Sequence, residues 1–120
     1  MGSNALVEIV REKNITVVHL KANSIIESAS IEQIANTINK EITDNKPQNM
    51  VIDFTGVKFF SSQTLGILMD TWKKLHAYDA RVVISGINPQ LHRVFRITNL
   101  DKIFEFYESK DNAVEALIQN

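Results

Sequence analysis

Ser61 and Ser62, in the run Phe59-Phe60-Ser61-Ser62-Gln63-Thr64, are the hydroxyl groups whose setting says most about chemistry in this 120-residue sequence. They follow an apolar stretch and open an amphipathic pattern, Leu65, Leu68, Met69, Trp72 and Leu75, which is helical in its spacing. As N-cap, Ser61 would accept from an amide of the first turn and leave Ser62 as the first residue of the helix proper. That turn carries free N–H groups and a partial positive charge. A phosphate on Ser62 is therefore compatible with the fold, although serines at helix starts ordinarily serve only as caps. The residues alone leave both roles open.

Other chemistry finds little support. Neither serine sits in a Gly-x-Ser-x-Gly elbow, and no Walker A loop or Gly-x-Gly-x-x-Gly run exists. His19, His76 and His92 are scattered, with no second ligand at metal spacing, and read as surface or satisfied histidines. Asp53 and Asp70 show no spacing that would pair them as acid and base. Asp53 reads as structural, at the end of a strand. With no cysteine there are no disulfides and no thiolate metal sites. The expectation is a protein without metal or cofactor, and not an enzyme.

The elements that must position the two serines follow from hydrophobic period and turn residues. Leu6 to Val10 and Ile15 to Leu20 read as a hairpin around the polar turn Arg11–Asn14. Ser30 and Gln33 suggest a capping box for a helix with Ile31, Ile34, Ala35, Ile38 and Ile42 on one face. Met50 to Phe54 is a strand, reached by a crossover expected to be right-handed. Arg81 to Ser85 is another, closed by Gly86. Asn88-Pro89 starts a short helix carrying Leu91, Val94 and Phe95. Ile103 to Tyr107 is a final strand, and Ser109 caps a last helix with Ala113, Ala116 and Leu117. Trp72 and Phe95 occupy core positions. This order predicts an α/β fold with a mixed, mostly parallel sheet of four to five strands and about four helices.

Composition narrows the function classes. Thirteen basic residues against fourteen acidic give a net charge of -1, which disfavours nucleic-acid binding through phosphates. No apolar run reaches membrane-spanning length, so no membrane insertion is expected. Met1 to Leu6 lacks the features of a signal peptide, and Leu6 breaks the myristoylation pattern. The length fits one domain over residues 1–120, with 1–4 as a flexible N-terminus. A cytoplasmic monomer is the expectation, since the helices show no second broad apolar stripe.

Val51 to Gly66 (VIDFTGVKFFSSQTLG) resembles the signature of STAS domains, the anti-sigma factor antagonist family. Further stretches agree in order: Arg81 to Gly86, Ile87 to Phe95, Asn99 to Phe104, and Asn112 to Leu117. The resemblance implies that Ser62 is the serine presented for phosphorylation, with Ser61 in the position before it, which is Asp in the best-known members and Ser in a substantial variant group. Gln63 and Thr64 replace a small residue and Gly, whereas Leu65 and Gly66 agree. Ala22-Asn23-Ser24-Ile25-Ile26 departs from the usual Gly-x-Leu-Asp of the loop that lies near that serine.

By resemblance, this would be a partner switch without catalytic activity of its own. The unphosphorylated form binds an anti-sigma factor that is itself a serine kinase, and so frees a sigma factor. Phosphorylation releases it, and a metal-dependent serine phosphatase resets the cycle. Ser61, Ser62, Gln63, Thr64, Asn23, Ser24, Ile25 and Ile26 would line the partner surface, with Ile25 and Ile26 offering an apolar contact if exposed. Two alternatives stay open: a constitutive, unphosphorylated binding module serving a scaffold or transporter, and a small-molecule sensor.

Overall fold

A computed structural model describes residues 6–119, so the expectation for residues 1–4 lies outside it. Strands β1 (Val7–Glu12) and β2 (Ile15–Leu20) form an antiparallel hairpin in the register Val7↔Leu20 to Glu12↔Ile15. The strand runs two residues further than expected, because Lys13 and Asn14 alone make the turn, both at positive φ. This two-residue geometry matches the twist of the strands it joins.

Strands β4 (Asn49–Asp53), β6 (Arg81–Ser85) and β7 (Glu105–Tyr107) lie parallel to β2, in the order β1-β2-β4-β6-β7. The last strand is shorter than expected, since Leu100–Lys102 winds as a 3-10 turn just before it. Helices α1 (Ser28–Asn45), α2 (Ser62–His76), α3 (Pro89–Ile97) and α4 (Lys110–Ile118) complete a mostly parallel α/β fold of five main strands and four helices.

Side-chain alternation along the strands divides the core into two. Val18, Leu20, Met50, Ile52, Val82 and Ile84 pack with Ile31, Ile38, Leu68, Leu75 and Phe95 from α1, α2 and α3. Ile15, Val17, Val51 and Val83 pack against Ala113, Val114 and Leu117 of α4. A strand shows opposite faces at successive residues, so each parallel strand serves both layers. Phe95 is fully buried, as its position predicted, whereas Trp72 is only partly buried and stacks on His76 with ring centroids 4.6 Å apart.

Two short strands were not expected. Ser24–Ile25 (β3) and Phe59–Phe60 (β5) pair in parallel as a separate ribbon. Phe59 and Phe60 are therefore not the tail of the Met50 strand; the Thr55-Gly56 turn separates them from it. Because α1 follows β3 and α2 follows β5, the ribbon brings the two helix starts side by side beyond the carboxyl ends of β2 and β4. Helix α1 begins at Ser28, with Glu27 at the N-cap, and the Ile31 amide donates to the Glu27 carbonyl at 3.0 Å. Ser30 consequently lies inside the first turn, and the Ser30/Gln33 capping box does not open this helix.

Candidate functional site

The ribbon decides which of the candidate residues reach the surface. The Lys58 amide donates to the Asn23 carbonyl at 2.8 Å, and the Ser61 amide donates to the Ile25 carbonyl at 3.0 Å. In the register Ser24↔Phe59 and Ile25↔Phe60, alternate residues turn outward together. Ile25 is buried and its neighbour Ile26 is 56% exposed, so the two expected contacts divide. Phe59 is 58% exposed on the same outer face, whereas Phe60 turns inward between Phe54 and Phe95, both ring pairs edge-on at 6.0 Å.

Ser61 holds the N-cap position of α2 and Ser62 is the first helical residue, as the spacing predicted. The cap itself differs from expectation. The Thr64 amide donates to the Ser61 carbonyl at 3.0 Å, but the Ser61 hydroxyl accepts nothing from the helix and is buried without a partner. The bond from Ser61 to Ile25 ties its backbone to the ribbon. Its N-cap angles are close to those of Asn88, yet its hydroxyl makes no bond to the amides it would have capped. No acidic residue stands in the first turn, while Lys73, Lys74 and His76 stand in the last, so the positive end of α2 meets no carboxylate of its own helix.

Ser62 and Gln63 are exposed, as are Asn23 and Ser24. Thr64 is buried, and its hydroxyl reaches back to the Ile25 carbonyl at 3.5 Å. Ile25 and Thr64 thus form the inner support of the site and are absent from its outer surface. The outer surface consists of Asn23, Ser24, Ile26, Phe59, Ser62 and Gln63, with Ser61 half-buried at its edge. Phe59 was missed in the sequence, because an apolar pair before a helix gives no sign of which ring turns outward.

Below the site, Asp53 anchors the turn that feeds the ribbon. Its buried carboxylate accepts from the Ser85 hydroxyl at 2.9 Å and the Thr55 hydroxyl at 2.8 Å, and lies 3.0 Å from His19 Nδ1. A buried carboxylate is stable only when so satisfied. Asp53 is structural, as its strand-end position suggested, and the exposed Asp70 instead pairs with Lys74. Gly86, at φ +67°, crosses this cluster; a Cβ there would overlap the Thr55 hydroxyl and lie 2.9 Å from Asp53 Oδ1. Asn88 ties the other end of the turn by donating to the Val57 carbonyl at 3.1 Å.

His76 stacks on Trp72, His92 lies tilted against Phe106, and His19 faces Asp53. Among the described residues, no group of three or more His, Asp or Glu side chains could hold a metal ion. No helix of the described chain is long and apolar enough to cross a membrane. What the arrangement offers is an exposed hydroxyl at an uncapped helix start, bordered by two exposed apolar side chains.

A family model described as STAS domain matches residues 7–113. Over 114 residues, 95% of this chain and 96% of the relative's, the sequence is 19% identical to the anti-sigma F factor antagonist of Paenibacillus polymyxa. An anti-sigma-factor antagonist (STAS) domain protein from Planctomyces limnophilus has a similar structure, with a TM-score of 0.85 at 23% identity, covering 93% of this chain and 97% of that one. The Bacillus cell fate determinant SpoIIAA in its phosphorylated form gives a TM-score of 0.74 at 17% identity, covering 92% and 98%. The family match spans most of the chain and the order of strands and helices follows the same plan, so this protein belongs to the STAS domain family.

Proposed function

We propose that this protein is an anti-sigma factor antagonist that works by partner switching, with Ser62 as the phosphorylated residue. The observation that carries this reading is Ser62 itself: exposed, first in its helix, and bordered by Ile26 and Phe59. The antagonist relative and the phosphorylated structural neighbour support it. In the unphosphorylated state the apolar pair and the polar groups of Asn23, Ser24 and Gln63 receive an anti-sigma factor with serine kinase activity. A metal-dependent serine phosphatase restores that state after modification. The protein is the substrate of both enzymes, and works in the cytoplasm.

The direction of switching follows from electrostatics. Phosphorylation adds about -1.5 to -2 charges and three strong acceptors. The uncapped start of α2 favours an anion there by only about 0.3–1 kcal/mol. Burying the same anion against a partner without matching donors costs several kcal/mol. Since each 1.4 kcal/mol is about tenfold in affinity, a roughly hundredfold loss is readily reached. Desolvation outweighs the dipole, and release occurs with little change in fold.

The test is phosphosite mapping on protein purified from its own cell, together with affinities of Ser62→Asp and Ser62→Ala for the co-purifying partner. Phosphate on Ser62, roughly hundredfold weaker binding by Ser62→Asp and retention by Ser62→Ala are expected. An unmodified chain whose partner binds Ser62→Asp as tightly as the unaltered protein would favour the constitutive module instead.

A further inference from the structure

The protein has four arginines, and they divide into two kinds. Arg11 is bonded to Glu41 at 2.7 Å, and Arg81 to Glu105 at 2.6 Å. Arg93 and Arg96, both exposed on α3, have no ion pair among the described residues. Helix α3 contains no acidic residue. The next carboxylate along the chain, Asp101, keeps one oxygen buried without a partner and pairs with neither arginine. Lys102, exposed on the 3-10 turn that follows, adds a third unpaired cation.

Beside these charges stands Ile97, 71% exposed and the most exposed of the large apolar side chains among the described residues. Arg93, Arg96 and Ile97 are spaced i, i+3 and i+4, so they share one face of the helix, while Leu91 and Phe95 bury the other. Arg96 in the last turn has an ordinary role in complementing the helix dipole. That role explains neither Arg93 one turn earlier nor the exposed isoleucine.

We infer that this outer face of α3 is a second docking surface, which takes an acidic segment of a partner protein. The guanidinium fork pairs bidentately with carboxylates, and two forks one turn apart beside an exposed apolar side chain suit a segment that carries carboxylates and an apolar residue. A nucleic-acid backbone fits less well, because the chain carries a net charge of -1 and the patch includes an exposed isoleucine. A membrane surface is likewise disfavoured, since one exposed isoleucine on a nine-residue helix offers little to insert. The patch occupies the second half of α3, past the end where Asn88 holds Val57, and shares no residue with the surface of Asn23, Ser24, Ile26, Phe59, Ser62 and Gln63. Docking there is independent of the phosphorylation state of Ser62.

The experiment uses the full chain, expressed in its own cell as wild type, Arg93→Glu/Arg96→Glu, Ile97→Ser and Ser62→Asp. Carbodiimide joins a lysine amine to a carboxylate with no spacer, so Lys102 reports an acidic neighbour directly, and the joined peptides are identified by mass spectrometry. The expected result is a link from Lys102 to an Asp or Glu of another protein, present in wild type and Ser62→Asp. It should fall at least tenfold in the double arginine variant and also fall in Ile97→Ser, with thermal midpoints unchanged. A protein captured equally by wild type and the charge-reversed chain overturns the inference, as does binding of the wild type to DNA or anionic vesicles through these arginines. Undiminished partner binding by Ser62→Asp would defeat the switch reading and leave this one standing.

Discussion

Four α-helices begin among the described residues, and they begin in two ways. At α3 the Asn88 side chain accepts from the Leu91 amide at 2.8 Å, and at α4 the Ser109 hydroxyl accepts from the Asn112 amide at 3.1 Å. At α1 and α2 the N-cap residues Glu27 and Ser61 make no such side-chain bond. The two helices without side-chain caps are those that issue together from the β3–β5 ribbon, beside Ile26, Phe59 and Ser62. Where a helix start serves only the fold, its amides are satisfied locally. At the proposed switch the N-terminal positive charge is left for another group to meet, at a cost in stability that the surrounding core carries.

The sharpest way to break this comparison is binding: Ser62→Asp should cost roughly hundredfold in partner affinity while leaving unfolding stability within about 0.5 kcal/mol. The next largest effect lies under the site. Gly86→Ala forces a Cβ against Thr55 and Asp53 at a positive φ, and denaturant unfolding should show a loss of about 2–3 kcal/mol. Gly66→Ala is its control. That residue lies exposed within α2, an added Cβ meets nothing, and a gain of about 0.5–1 kcal/mol is expected.

The caps give smaller effects that sharpen the contrast. Asn88→Ala loses both its cap bond and its hold on Val57 and should cost about 1–2 kcal/mol, and Ser109→Ala about 1 kcal/mol. Ser61→Ala removes a buried hydroxyl that has no partner, so stability should hold or rise slightly, by up to about 0.5–1 kcal/mol. A loss the size of the Ser109 effect would show that Ser61 caps its helix in solution, and would erase the distinction between the two kinds of start.

The smallest effect concerns pH, and begins at the amino ends of the parallel strands, away from the site. Burial raises the pKa of the Tyr78 phenol, which donates to the Pro47 carbonyl at 2.8 Å. Burial and then the neighbouring Glu105 carboxylate raise that of Tyr107. A group whose folded pKa lies above its unfolded value contributes fully below the unfolded value and loses its contribution as pH rises through the folded one. Stability should therefore be insensitive to these phenols at neutral pH and fall above about pH 10. Titration of phenolate absorbance alongside thermal unfolding checks this, and Tyr78→Phe should remove part of the alkaline decline.

Much of the fold was legible because it rests on local rules. The isoleucine spacing placed α1, Asn88-Pro89 and Ser109 placed α3 and α4 with their caps, and the β-branched run at Ile15 to Leu20 placed β2. Asp53 could be recognised as a strand end, but not as the centre of a cluster with His19, Thr55 and Ser85, because His19 and Ser85 lie 34 and 32 residues away in sequence. The site was half legible. The position of Ser62 in its helix follows from hydrophobic period, and the same reasoning assigned Ser61 a capping bond that the structure does not make.

The sequence by itself determined that two serines open an amphipathic helix behind a parallel strand, because a helical period declares its own start. Only the tertiary structure decided which neighbours surround them. Strands β3 and β5 have two residues each, too short to show a period, and a slip of one residue in their pairing would exchange the inward and outward sides. It is the register Ile25↔Phe60 that buries Ile25, exposes Ile26 and Phe59, and ties the Ser61 backbone to the ribbon. Pairing between segments thirty-five residues apart, and no local preference, places the apolar edge beside Ser62.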